Sequence, residues 1–275
     1  MHAKNYISII ASALTEDIQS GDLTSESIFT AKDECHAQLI AKQDGIIAGL
    51  EVFKKTFELV DTKTHVSLKF KDGQFCKNRD VVAEISGSVL SVLAAERVGL
   101  NLLQRMSGIA TLTHEFVKLC ENRCKVLDTR KTAPNLRVLD KWAVVLGGGT
   151  NHRIGLYDMA MIKENHIKAA GGIKQAVEKV LAHDNHNHPI EVEVTNLDEL
   201  KQALECDIDR IMLDNMDNKT MKKAVKITAG KIDLEASGNV NLKTIRNISK
   251  TGVNYISIGA LTHSVTAMDY SLLIK

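Results

Sequence analysis

The chain has almost no excess charge of either sign: 35 Lys and Arg stand against 34 Asp and Glu, a formal net charge of +1 over 275 residues. Without an overall basic field there is no long-range means of holding nucleic acid or an anionic membrane, so any bound anion must be met by a local cluster. Long apolar runs are missing too. None approaches the roughly 20 residues that cross a bilayer, and Met1 to Ile10 lacks the basic-then-apolar order of a secretory leader, which predicts a cytoplasmic protein. Five cysteines (Cys35, Cys76, Cys120, Cys124 and Cys206) are an odd set, which argues against a disulfide framework. Cys120 and Cys124 resemble half of a zinc site, but no second Cys/His pair has zinc spacing, so two reduced thiols one turn apart on a helix are expected. There is no internal repeat. The one biased stretch, His183 to His188, precedes Pro189 and reads as a solvated connection rather than a metal site.

What is present is enough to bury a large core: 44% of the residues are hydrophobic and 25% charged, fitting one big domain or two unequal ones. Apolar groups at Tyr6, Ile10, Ala13 and Leu14 predict a helix over 5–18, broken at Gly21-Asp22. From 35 to 87 the text alternates like strands around a helical LEVFKKTFELV, which predicts a small α+β domain. Residues 89–121 read as helix-rich and apolar along one side. The boundary is set near 108, giving an N-terminal domain over 1–108 and a catalytic domain over 109–264. Beyond 125, short apolar strands (KVLDT, AMIKE, IEVEV, RIMLD, DLEAS, YISIG) alternate with amphipathic helices such as IKQAVEKVLAH, LDELKQALE and NKTMKKAVKIT, the pattern of parallel βα units. No glycine-rich dinucleotide fingerprint follows the first strand, so an incomplete parallel α/β barrel is preferred to a doubly wound sheet. Six strands are fewer than eight. Either one is unrecognised or the ring is open.

Polar residues interrupt these strands near their ends: Asp128, Lys163, Glu193, Asp214, Ser237 and Gly259. In a (β/α) barrel the strand ends converge on the face that carries the active site. One such residue is easily a helix cap or a satisfied core group, but six from six strands are not. The loop DTRKTAPNLR (128–137) adds Arg130 and Lys131, and GGGTNHR (147–153) adds His152 and Arg153. Gathering Arg130, Lys131, His152, Arg153 and Lys163 in one concave site would be repulsive unless a multiply anionic ligand sat among them. Arginine forks suit carboxylates.

Glu193 and Asp214 oppose these cations, and two hard carboxylates suit Mg²⁺ bridged to a phosphate. The bland alternative is a salt-bridge network with Lys163 or Arg153. Ser237-Gly238 and Gly259 leave backbone N–H groups for a phosphate; Gly259 on its own also reads as a residue that merely turns the chain.

At these residues the sequence closely resembles the quinolinate phosphoribosyltransferases. The matching stretches are EDIQSGDLTS (16–25), ERVGLNLLQRMSGIAT (96–111), DTRKTAPNLR (128–137), KWAVVLGGGTNHRIGLYD (141–158), IKENHI (162–167), EVEV (191–194), MLDNM (212–216), EASGNV (235–240) and ISIGALTHS (256–264). The resemblance implies transfer of a phosphoribosyl group from phosphoribosyl pyrophosphate to quinolinate with decarboxylation, giving nicotinate mononucleotide, with Mg²⁺ as the sole cofactor. It also implies an N-terminal α+β sandwich-like domain, an incomplete α/β barrel, and a tail over about 265–275 packing back on the first domain. The homodimer it implies, or a multiple of it, places Arg97 in the neighbour's active site. Arg97, Arg130, His152, Arg153 and Lys163 become the quinolinate cradle, with Lys131 near both substrates. Lys131, Lys163, Glu193 and Asp214 take the catalytic roles, Glu193 and Asp214 on the Mg²⁺ and ribose side. Ser237, Gly238, Gly259 and His263 fall on the pyrophosphate side. Asn135 replaces the glycine commonly found after the loop proline, and asparagine tolerates the left-handed backbone better than most residues.

Three other readings compete. A paralogue of the same fold associated with molybdenum transport need not keep the whole cation set. A Schiff-base aldolase would use Lys163 as nucleophile and leave the arginines idle. A non-catalytic binder of phosphorylated sugars would hold phosphoribosyl pyrophosphate without releasing pyrophosphate.

Overall fold

The computed structural model describes residues 6–275; residues 1–5, which include the start of the helix expected over 5–18 and part of the Met1–Ile10 segment, lie outside that range. In chain order, α1 (Ile7–Ile18) and α2 (Leu23–Ile28) precede β1 (Glu34–Ala41), β2 (Gly45–Ile46), α3 (Leu50–Val60), β3 (His65–Leu68), β4 (Phe75–Cys76) and β5 (Val81–Ser88). The long α4 (Val89–Cys120) follows, then β6 (Lys125–Leu127), α5 (Arg137–Leu146), β7 (Ala160–Ile162), α6 (Glu164–Ala170), α7 (Ile173–Asp184) and β8 (Ile190–Val194). The chain finishes with α8 (Leu197–Ala203), β9 (Arg210–Asp214), α9 (Asn218–Thr228), β10 (Asp233–Ser237), α10 (Ile245–Ser249), β11 (Tyr255–Ser257), α11 (Ala260–His263) and β12 (Tyr270–Ile274).

Two compact units share these elements. The first comprises residues up to His114, Thr132–Gly148 and Leu261–Lys275, and the second comprises Glu115–Lys131 and Gly149–Ala260. Like a single cut near 108, this division falls inside α4, but it also assigns α5 to the first unit.

In the first unit the strands pair antiparallel in the order β12-β1-β5-β3. Alternation in β1 sends Cys35, Ala37, Leu39 and Ala41 to a buried face. Phe53 and Phe57 of α3 and Val92, Ala95 and Leu103 of α4 join the same core. The two phenylalanine rings meet tilted, centroids 4.8 Å apart. Met268 and Tyr270 complete it, and Leu39 of β1 faces Leu272 of β12. At the start of α2, the Asp22 carboxylate accepts from the Thr24 and Ser25 N–H groups at 3.1 and 3.0 Å, which is why the chain turns helical there.

The second unit holds one parallel sheet, order β6-β11-β10-β9-β8-β7, covering all six strands expected from the sequence. That order is chain order taken around a ring and broken once, between β6 and β7. Among the described residues no ladder joins those two edges, so an open α/β barrel with six strands answers the count that fell short of eight. The connection from β6 to β7 carries Arg130, Lys131, His152 and Arg153.

In the first unit, Arg105 of α4 makes a forked pair with Asp140 of α5, both N···O distances 2.8 Å, and Asp140 is fully buried. Asp140 also accepts from the Ala133 N–H at 3.2 Å, and Arg105 donates to the Thr262 carbonyl at 3.2 Å. The pair thereby fixes the loop ahead of α5, where Asn135 adopts φ +63°, the left-handed conformation its side chain tolerates. Removing Asp140 leaves a partly buried guanidinium uncompensated and the Ala133 N–H without its acceptor. Asp140→Ala is expected to lower the unfolding free energy by about 3–5 kcal/mol in urea titration; a loss below about 1 kcal/mol would show that the pair is peripheral.

Candidate active site

The strands of the open barrel obey a two-residue period that sorts chemistry by face. On one face stand Ile190, Val192 and Val194, Ile211 and Leu213, Leu234 and Ala236, and Ile256, all buried against the helices. The other face carries Met161 and Lys163, Glu191 and Glu193, Arg210, Met212 and Asp214, Asp233, Glu235 and Ser237, and Tyr255 and Ser257. Register aligns them across the sheet: Glu191 pairs with Arg210, Arg210 with Asp233, and Asp214 with Ser237. Sequence alone singles out Lys163, Glu193, Asp214 and Ser237, the last members of four columns, and for β11 points to Gly259 rather than Ser257. It missed Glu191, Arg210 and Glu235 beneath, although EVEV, RIMLD and DLEAS display the alternation that would have located them.

Above this layer lies a cavity of about 350 Å³. Arg130, Lys131, His152, Arg153, Lys163 and Ser237, six of the residues singled out from sequence, line it, together with Thr129, Met212, Glu235 and Ser257. Burial, then the charge of Arg130, pushes the Arg153 guanidinium below its ordinary pKa. Two cations that destabilise each other beside a cavity make a site for an anion. Arg153 is aimed by a hydrogen bond from Nη1 to the Met159 carbonyl at 3.0 Å.

Lys163 pairs with Glu193 across the mouth of β7 and β8. This realises half of the salt-bridge alternative raised for the two carboxylates. Asp214 does not take part: its Oδ2 accepts from the Asn215 side chain at 2.9 Å, and no ion pair to Lys163 or Arg153 exists among the described residues. Beyond β10, Gly238 has φ +101°, and a Cβ there would fall 2.2 Å from Asn215 Oδ1, so this turn requires glycine. Gly259 lies between β11 and α11.

The floor of the cavity is a buried cluster. His152 Nε2 lies 2.9 Å from Glu191 Oε2 and 3.3 Å from Glu235 Oε2, while Arg210 Nη1 is 3.2 Å from that same Glu235 oxygen. Arg210 stacks over the Tyr255 ring at 4.0 Å. Burial alone would lower the imidazole pKa, but the hydrogen bonds and charges of Glu191 and Glu235 outweigh it and raise it to about 9. A doubly protonated ring, however, conflicts with the Arg153 N–H, which donates to Nδ1 at 2.7 Å. Both demands are met when Nε2 carries the ring proton, Nδ1 stays bare and the additional proton resides on Glu191, which burial pushes above the usual carboxylate range. For Glu235 burial acts in the same upward direction, but His152 and Arg210 hold it below that range. His152, Glu191 and Glu235 are also the one group of three potential metal ligands found among the described residues.

Arg97 and His263 belong to the first unit. Arg97 stands on α4 with its side chain 60% exposed, 3.9 Å from Glu96, and His263 Nδ1 is 2.6 Å from the Ser264 hydroxyl. In the second unit, His188 and His186 pair at the surface with Asp184 and Asp207. The Cys124 and Cys120 thiols hydrogen-bond to each other, Cys120 ending α4 and Cys124 just beyond it.

The family model described as quinolinate phosphoribosyl transferase, C-terminal domain, matches residues 109–273, and its N-terminal counterpart matches residues 22–107. The chain belongs to the quinolinate phosphoribosyltransferase family. A probable nicotinate-nucleotide pyrophosphorylase (carboxylating) of Bacillus subtilis is 46% identical over 258 residues, spanning 94% of this chain and 89% of that protein. The crystal structure of NadC from Streptococcus pyogenes superposes with a TM-score of 0.97 at 39% identity, covering 100% of this chain and 98% of that one. The nicotinate-nucleotide pyrophosphorylase structure from Francisella tularensis gives 0.95 at 41% identity, with coverage of 100% and 98%. This quinolinate phosphoribosyltransferase is thus a pentosyltransferase, which sets aside the molybdenum-associated paralogue, the aldolase and the sugar-phosphate binder.

The additional proton of the His152–Glu191 pair has a consequence for stability. A proton that the pair retains in the folded state up to about pH 9, and that the freed imidazole would release near pH 6.5 on unfolding, contributes stability that is complete below pH 6.5 and lost as pH rises through 9. The melting temperature is therefore expected to fall by several degrees across that window, and His152→Gln to flatten the dependence. A wild-type profile level from pH 6.5 to 9.5 would contradict it.

Proposed function

We propose that the cavity cations grip the two carboxylates of quinolinate and aim its ring nitrogen at the anomeric carbon of phosphoribosyl pyrophosphate. The observation that carries this reading is the gathering of Arg130, Lys131, Arg153 and Lys163 around one cavity in a chain whose net charge is +1. Planar guanidinium groups offer forked contacts to carboxylates, and holding both reactants supplies much of the rate enhancement. Lys131 lies near both substrates, and His152 forms part of the wall beneath the ring.

Glu193 and Asp214 end adjacent strands and offer oxygen donors only, which suits Mg²⁺ bound through one or two carboxylates, with water and diphosphate completing its shell. When bound, the ion would neutralise charge developing on the departing pyrophosphate. Loading it requires Glu193 to share its carboxylate with Lys163 or release it. Ser237, Gly238, Gly259 and His263 serve the pyrophosphate side. As the C–O bond to pyrophosphate breaks, the ring nitrogen forms the C–N bond and becomes cationic. The adjacent carboxylate then departs as CO₂, leaving its bonding electron pair on the ring carbon, where the neighbouring cationic nitrogen stabilises it until a proton from water forms the C–H bond of nicotinate mononucleotide.

Arg97 is assigned to the active site of a second copy, making the working form a homodimer or a multiple of it. Its exposure supports a role outside its own unit. Among the described residues no helix is long and apolar enough to cross a membrane, and the near-neutral charge offers no field for nucleic acid; a cytoplasmic enzyme fits both.

Incubation with quinolinate, phosphoribosyl pyrophosphate and Mg²⁺ should yield CO₂ and nicotinate mononucleotide in equal amounts, with nicotinate inert as acceptor. Arg153→Ala and Lys131→Ala should each lower kcat/KM for quinolinate by about 10–100-fold with little change in melting temperature. Wild-type kinetics in either variant would remove the assignment. Mixing inactive Arg97→Ala subunits with inactive Lys163→Ala subunits should restore part of the activity, because mixed dimers contain one intact site; no recovery after verified subunit exchange would place Arg97 elsewhere.

A further inference from the structure

Two carboxylates and an imidazole buried beneath a cavity are costly, and an apolar layer of the same volume would be easier to stabilise. Glu191 and Glu235 are fully buried, and the His152 side chain is 4% exposed. Of these three, His152 and Glu235 line the cavity and Glu191 does not. His152 is held at three points. Its N–H donates to Asp128 Oδ1 at 2.9 Å, Nδ1 accepts from the Arg153 N–H at 2.7 Å, and Nε2 meets Glu191 and Glu235. Nδ1 is thus occupied by the backbone, and Nε2 lies within ion-pair distance of the two buried carboxylates, which turns the polar edge of the imidazole toward the protein.

What the ring does control is its successor in the chain. Arg153 follows His152 directly, its backbone is tied to the imidazole, and its guanidinium faces the cavity. We infer that Glu191 and Glu235 are positioning residues: by clamping His152 they fix the Arg153 backbone and so set where that cation meets a substrate carboxylate. Arg210 is part of the same device, since its guanidinium holds Glu235 from below while stacked on Tyr255. That guanidinium also supplies the positive charge a metal ion would otherwise bring, which favours an ion-free cluster over a metal centre.

The inference rests on the quinolinate reading of the cavity for its kinetic part, but its geometric part is testable without substrate. In the ligand-free protein the ¹⁵N chemical shifts of the His152 ring should show a bare Nδ1 and a protonated Nε2, and Glu235→Gln should perturb both. Kinetically, Glu235→Gln and Glu191→Gln should each lower kcat/KM for quinolinate about tenfold while changing KM for phosphoribosyl pyrophosphate less than about twofold. In an Arg153→Ala background, Glu235→Gln should cost less than about a further twofold, because the residue it positions is gone. His152→Gln, which keeps a side-chain N–H toward the carboxylates, should retain more activity than His152→Phe, which keeps only the ring's bulk.

Multiplicative effects of Glu235→Gln and Arg153→Ala, equal losses for both substrates, a protonated Nδ1, or a stoichiometric metal ion in the purified protein would each overturn the proposal. Absence of any turnover of quinolinate by the wild-type protein would sink the functional reading, whereas the ring shifts would still decide the clamp.

Discussion

A charge buried under the cavity must be answered by another within hydrogen-bond reach, and the second unit is arranged around that requirement. Glu235 sits between Arg210 below and His152 above, and its ionised form is affordable only because both are there. The alternation of β8, β9 and β10 then follows: apart from Met212, the residues on the network's face are polar, and the intervening ones are apolar and buried on the opposite face. The upper members, Glu193, Asp214 and Ser237, stand near the strand ends, the edge at which barrels carry their sites.

The cavity itself is an electrostatic compromise. Arg130 and Arg153 repel, and Lys163 is engaged by Glu193. That lysine–carboxylate pair is the salt-bridge alternative raised from the sequence, realised for Glu193 and not for Asp214.

Much of this was legible in the text. Six short apolar strands alternating with amphipathic helices specify a parallel sheet, and a polar residue near the end of each strand specifies its working edge. The layer beneath escaped because strand ends were read and strand middles were not: Glu191 and Glu235 stand amid valine, leucine and alanine, where a carboxylate looks like an interruption. Arg210 escaped for the opposite reason, being at a strand start, the end where barrels keep stability rather than chemistry. The distribution of α5 was out of reach as well. Its buried residues include Asp140 and Lys141 with Leu139, Ala143 and Val144, so apolar periodicity alone understates the face it hides. Nor does a linear text show that a segment between two stretches of one unit belongs to the other. That requires the Arg105–Asp140 contact.

The placement of β12 bears on how the protein is made. Its partner β1 leaves the ribosome about 230 residues earlier, so during synthesis the outer edge of that strand has open amide and carbonyl groups and no mate. The first unit to be translated is therefore among the last to be finished. Its nascent form has an adhesive border for the whole time the barrel is being threaded out, and chaperone dependence should track that interval rather than the total length of the chain.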